Sequence, residues 1–228
     1  MSKKVVVVLT VLSAVAAQIY ASPSSQRQAP IGLLKAASLD AEGFAMNLAR
    51  AAVPAVLEMH ERDRRPGLLR PRVDLADRQL IGVEQLVSEF NRSRRDLRAE
   101  VIDGVIVIRP GSARLAYLDG GAPTGGIRVR GVMNAARKLC APLDPAPDAA
   151  GGQVGSMLGG FEQRGVNVDI DVVTDGRSVL EVLVAVADAA PAHVPFVLAS
   201  GAPTELRVSR IGFIHAEGAT SELPVRSR

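Results

Sequence analysis

The sequence predicts an α+β fold made of two small tandem units, and three observations carry that expectation. Apolar residues recur at helical spacing in some segments and in short alternating or continuous runs in others, so helices and strands are mixed. The order helix, strand, strand, helix, strand, strand is read over residues 31–110 and again over residues 127–216. A shift of 97 residues sets Val73-Asp74-Leu75 on Ile170-Asp171-Val172, Val83-Glu84 on Leu180-Glu181 and Leu86-Val87 on Leu183-Val184 without a gap. An internal two-fold repeat is the resulting expectation.

The chain opens on Lys3 and Lys4, an apolar run from Val5 to Ala17, and small residues through Ala21 and Ser22. That is the three-part layout of a secretory signal peptide, with a cut after Ala17 or Ala21. The run falls short of the roughly 20 residues that span a bilayer. Residues 1–21 therefore read as a signal peptide, and the protein is expected in the periplasm or at the outer membrane, without a span after cleavage. Residues 22–30, with Pro, Ser and Gln, read as a linker. The whole chain carries 27 basic and 24 acidic side chains; loss of Lys3 and Lys4 leaves 25 against 24, a net of +1. A near-neutral chain with interspersed signs does not fit a nucleic-acid binder. Aromatic residues make up 3% and Trp is absent, which removes the usual stacking platforms. Cys140 is the only cysteine, so stability must come from packing, and 47% of the residues are apolar. It closes a helically spaced run with Val129, Val132, Met133, Ala136 and Leu139, which implies a buried, inert thiol.

The first helix is expected near Ser38 to Ala52, capped by Ser38 or Asp40, with Phe44, Ala45 and Leu48 on its apolar face and Pro54 past its end. A strand over Ala55 to His60 leads to a charged loop, Glu61 to Pro71, and a second strand over Arg72 to Leu75. The next helix shows Val83, Leu86, Val87 and Phe90 at i, i+3, i+4 and i+7. Two strands then meet at Asp103-Gly104, the preferred type I′ pair, and Val105 to Ile108 reads as the apolar strand. Residues 111–126 read as a connection. The second unit holds a helix near Gly126 to Ala141, a strand over Val166 to Val172, a helix over Arg177 to Asp188, and strands over Val194 to Ala199 and Glu205 to Ile214. Residues 217–228 read as a loose polar tail.

The stretch LADRQLIGVEQLVSEFNRSRRDLRAEVIDGVIVIRP, Leu75 to Pro110, resembles the second half of the secretin and TonB N-terminus short domain. Its amphipathic helix, short strand, tight turn and apolar strand carry the likeness. The helix with Phe44 and Leu48, followed by strands at Ala55 and Val73, is similar to the first half. The likeness covers residues 31–110 and, more faintly, 127–214. The family continues into a pore-forming region or a long barrel, whereas here two units are expected as a small free-standing exported protein. The resemblance implies docking or signal relay in gated outer-membrane complexes and no catalytic residue.

Candidate chemistry is sparse. His60, Glu61 and Asp63 lack the spacing of a zinc site, and H-E-x-x-H is absent. Gly155-Ser156-Met157-Leu158-Gly159 fails the nucleophile-elbow and phosphate-loop patterns. No metal and no cofactor is expected. Arginines cluster instead: Arg62, Arg64, Arg65 and Arg70 in one loop, Arg92, Arg94 and Arg95 in another, both flanking strands of the first unit. Their planar forks suit carboxylates, so they are the candidate contact surface for an envelope protein, although Glu61, Asp63, Asp96 and Glu100 are interleaved. Charge reversal at Arg64, Arg65 and Arg95 is expected to weaken partner retention without unfolding. An exposed apolar edge at Val105 to Ile108 is a second expected contact. The function expected is therefore a non-catalytic protein–protein interaction or assembly module of the bacterial envelope. The alternatives are an exported hydrolase assembled from His60, Asp63 and His215, or a purely structural subunit of a larger complex.

Overall fold

The computed structural model describes residues 27–64, 70–76, 78–143 and 168–225. The expected signal peptide, Arg65, the Gly155–Gly159 segment and the Cys140 side chain lie outside the described residues.

Strands β1 (Gln28–Pro30) and β3 (Leu80–Gly82) form a two-stranded antiparallel ladder, with helices α1 (Gly32–Ala36) and α2 (Ala41–Arg50) and strand β2 (Ala55–His60) between them in sequence. Helix α3 (Val83–Ser93) leads into the hairpin β4 (Leu97–Ile102) and β5 (Val105–Pro110), then a short helix α4 (Ala116–Asp119). Strand β6 (Ile127–Arg130), helix α5 (Val132–Cys140), strand β7 (Asp169–Val172) and helix α6 (Val179–Ala189) follow. Strands β8 (His193–Ser200), β9 (Arg207–His215) and β10 (Thr220–Pro224) complete the described fold.

Six strands make one mixed sheet in the order β10-β9-β8-β2-β5-β4. Strand β2 runs parallel to both β5 and β8, and the outer pairs are antiparallel. Because strand side chains alternate faces, Val56, Val107, Val197 and Phe213 meet α5 and α6 on one side. Leu57, Ile106, Ile108 and Phe196 meet α1, α2 and α3 on the other. Phe44 of α2 and Phe90 of α3 stack there, with ring centroids 4.9 Å apart. The protein is thus α+β, with helices on both faces of a central sheet.

Several expected elements hold. Asp40 caps α2, its Oδ1 accepting from Gly43 N at 2.7 Å. Asp103 and Gly104 turn the β4–β5 hairpin with φ of 49° and 78°. Ser178 and Glu181 close a capping box on α6.

Others differ, each for a visible reason. Val105–Ile108 is no edge: β5 lies between β2 and β4, and every residue in it is buried. Arg72–Leu75 is not a strand, because α2 takes its backbone groups. Asn47 Oδ1 accepts from Val73 N at 3.0 Å, and Arg50 donates to Val73 O at 3.0 Å. Gly131, at φ 92°, divides the expected 126–141 helix into β6 and α5. Residues 28–30 of the expected linker form β1, and residues 220–224 of the expected tail form β10. The repeat does not carry over to the sheet. In the 97-residue register α3 aligns with α6 and β4 with β8, yet β4 is the outermost strand, β8 is interior, and the two helices cover opposite faces. One sheet takes β2, β4 and β5 from the first unit and β8 and β9 from the second.

Candidate binding groove

The parallel direction of β2, β5 and β8 brings their carboxyl ends to one rim of the sheet, the position where ligands commonly bind in sheets with parallel strands. Two adjoining clefts occupy that rim. The first, of about 380 Å³, lies beside the end of β2 and the start of β4, where Leu97 pairs with Pro110 of β5, and includes Asp40, Met59, Arg62, Asp63, Arg94 and Asp96. The second, of about 300 Å³, lies beside the ends of β2 and β8 and is formed by His60, Glu61, Arg62, Ala199, Ser200 and Gly201. Arg62 belongs to both.

The local sequence explains how these side chains converge. Strand β2 ends at His60 and passes into a 3-10 turn, Glu61–Asp63, that points Arg62 and Asp63 over the rim. Helix α3 ends at Ser93, and the turn to β4 presents Arg94 and Asp96 from the facing side. The amino end of α2 supplies Asp40. Arg94 grips Asp96 with two hydrogen bonds, 2.9 and 2.7 Å, and donates a third to Leu39 O at 3.0 Å. The bond to Asp96 raises the Arg94 pKa against the effect of burial, with the charges of Asp96, Asp40 and Asp63 adding to it. The same bond holds the Asp96 carboxyl below the usual carboxylate range. Arg62 is free of so tight a partner: its Nε stands 3.9 Å from Asp63 Oδ1, beyond hydrogen-bond reach, and its side chain is 68% exposed.

The predicted arginines therefore divide. Arg62 and Arg94, from the two separate loops, do share one cleft, and Arg95 is exposed beside it. Arg92 is on the surface of α3 and pairs with Glu89. Arg64 and Arg70 are instead drawn inward. Arg64 bonds Glu42 Oε1 at 3.0 Å and Glu222 Oε2 at 2.6 Å and lies over the Phe196 ring at 5.8 Å. Arg70 closes on the other oxygen of Glu42. Arg210 bonds Glu222 at 2.8 Å and stands 3.5 Å from Glu61. These three arginines and three glutamates tie the loop after β2 to α2 and β10. Charge reversal at Arg64 would break this support, so it is not the neutral probe of a surface that the sequence implied.

The histidine constellation expected of a hydrolase does not assemble. His60 pairs in register with Ala199, at the carboxyl end of β8, whereas His215 pairs with His193 at its amino end. Six residues of strand, roughly 20 Å, separate them. His193 and His215 contact each other instead, Nδ1 to Nδ1 at 2.8 Å, and His215 Nε2 meets Ser221 Oγ at 2.9 Å. Among the described residues no group of three or more His, Cys, Asp or Glu is arranged to hold a metal ion. No described helix is long and apolar enough to cross a membrane.

Sequence reasoning missed one buried feature. Glu58 on β2 and Arg109 on β5 are paired inside the sheet, Nε to Oε2 at 2.6 Å, and Glu58 Oε1 accepts from Leu115 N at 2.7 Å. Arg109 also reaches Asp119 at 3.1 Å. The signal was present: each is a charged residue within an otherwise apolar strand.

Comparison with family models, with curated proteins and with solved structures gives no match.

Proposed function

We propose that the protein is an exported, non-catalytic interaction module of the bacterial envelope that receives a polypeptide partner in the groove at the carboxyl ends of β2, β5 and β8. The observation that carries this reading is the convergence of Arg62 and Arg94, from two separate loops, with Asp40 and Asp63 in one open cleft. Arg94 is neutralised by Asp96 and Asp40 caps α2, which leaves Arg62 and Asp63 to meet charges on a partner. Met59 and Leu97, both buried, give the cleft an apolar floor for the stems of such side chains. The amino-terminal Lys3-Lys4 and apolar run support export. The resemblance of Leu75–Pro110 to the secretin and TonB N-terminus short domain supports a docking role.

Site-specific photocrosslinking in intact cells tests this. A crosslinker at position 62 or 95 should give one discrete adduct with an envelope protein. A crosslinker at Arg128, an exposed site on the separate β6–β7 ladder, should give none. Equal labelling at all three positions, or no adduct at 62 and 95, overturns the proposal.

A further inference from the structure

Resting on that reading, we propose that the lobe around His60 is a carboxylate-binding subsite of the groove. His60 is 7% exposed, yet its ring lines the cleft and makes no hydrogen bond or ion pair with another described residue. Among the described residues its ring nitrogens are not sealed from solvent, so they stay open to a group entering the cleft. The groups around it are donors. Arg62 offers a guanidinium fork whose nearest acid, Asp63, is out of hydrogen-bond reach. The imidazole itself carries an N–H, and Ser200 is among the lining residues. The one acid in the lobe, Glu61, faces Arg210 at 3.5 Å.

A donor-rich lobe requires an acceptor ligand, and its charge selects which. One guanidinium suits a monoanion, in the planar geometry that a carboxylate matches. Glu61 repels a phosphate dianion, which would need more cations than the lobe holds. The walls are also set. Gly201 has φ +106°, and an added Cβ would lie 2.6 Å from Glu205 O, so the turn after β8 keeps this shape only with glycine. The ligand group is therefore a carboxylate, from a chain terminus or from an acidic side chain of the partner polypeptide.

The test uses the full chain and the ring resonances of its three histidines. N-acetyl-dialanine presents a terminal carboxylate, its amide presents none, and N-acetyl-glutamate amide presents a side-chain carboxylate. Either carboxylate probe should move the His60 signals along a saturable curve, and their relative affinities identify the source. His193 and His215, at the far end of β8, should stay still. The dialanine amide should leave His60 unmoved. Arg62→Gln, at an exposed position, should weaken binding by about tenfold with the melting curve unchanged. Equal response to acid and amide, tighter binding of inorganic phosphate than of either carboxylate, or no response to any probe overturns the subsite. Failure here with photocrosslinks at positions 62 and 95 intact would remove the subsite alone. Loss of those crosslinks would remove the groove reading itself.

Discussion

The Nδ1 atoms of His193 and His215 are 2.8 Å apart, and each residue is 4% exposed. One proton between the two nitrogens makes a hydrogen bond; a second has no acceptor. Burial, and behind it the charge of His193, hold the His215 imidazole down from the ordinary 6.5 to about 4, against a smaller opposing pull from Glu217. The sign follows directly. As pH falls through 6.5 the unfolded chain takes up a proton at this position, while the folded chain refuses it until about pH 4. Stability from this source is complete above pH 6.5, declines through the window, and is gone below about pH 4. At ~1.4 kcal/mol per pH unit, the full loss is about 3 kcal/mol. Urea unfolding of the wild type and of His215→Asn, measured at several pH values across that window, isolates the effect. The variant cannot titrate there, whereas every carboxylate titrates in both proteins. The wild-type stability should fall by about 3 kcal/mol more than that of the variant between neutral pH and pH 4. Parallel pH dependences for the two proteins would refute the reasoning.

Other perturbations follow from the packing. Glu42→Ala leaves Arg64 and Arg70 largely buried without their shared carboxylate, and should cost about 3 kcal/mol in urea unfolding. Asn91 donates to Ala99 O at 2.9 Å and accepts from Ala99 N at 2.8 Å, so its amide closes the outer edge of β4. Asn91→Ala should cost roughly 1–2 kcal/mol and increase concentration-dependent self-association in sedimentation relative to the wild type; a variant that associates no more than the wild type contradicts the edge-capping role. Gly212 lies where β9 meets β10 and β8. An added Cβ would collide with Ser221 O and come 2.8 Å from Phe196 Cζ, so Gly212→Ala should lower stability by about 3 kcal/mol or more.

How far the sequence was legible depended on the range of the interaction that fixes each feature. The α2 cap, the α3 apolar face and the Asp103-Gly104 turn are set by residues within a few positions of one another, and all were readable. The position of Arg64 was not, because Glu42 and Glu222, which hold it, are 22 and 158 residues away. The same distance problem hid β10, whose pairing with β9 no local pattern in Thr220–Pro224 announces. The groove lies between: Arg62 and Arg94 were legible as arginines in two loops, but their meeting with Asp40 depends on the packing of α2, α3 and β2.

Strand composition also encodes the position of each strand in the sheet. In β4, Leu97-Arg98-Ala99-Glu100 alternates buried and exposed residues, as an outer strand with one wet face does. In β5, Val105-Ile106-Val107-Ile108 does not alternate, and a run apolar on both faces belongs between neighbours under helices on each side. The same rule reads β2 and β8 as interior, and three such strands at the centre imply parallel pairing. A charge in such a strand is then a constraint, since an unpaired buried ion costs several kcal/mol. Glu58 stands in β2 and Arg109 in β5, each near the carboxyl end of its strand. In parallel strands, placing them side by side sets Leu57 beside Ile108, which is the observed register. Within that parallel pairing the buried ion pair, which no single segment reveals, fixes the alignment of the two strands whose ends meet at the rim where the groove lies.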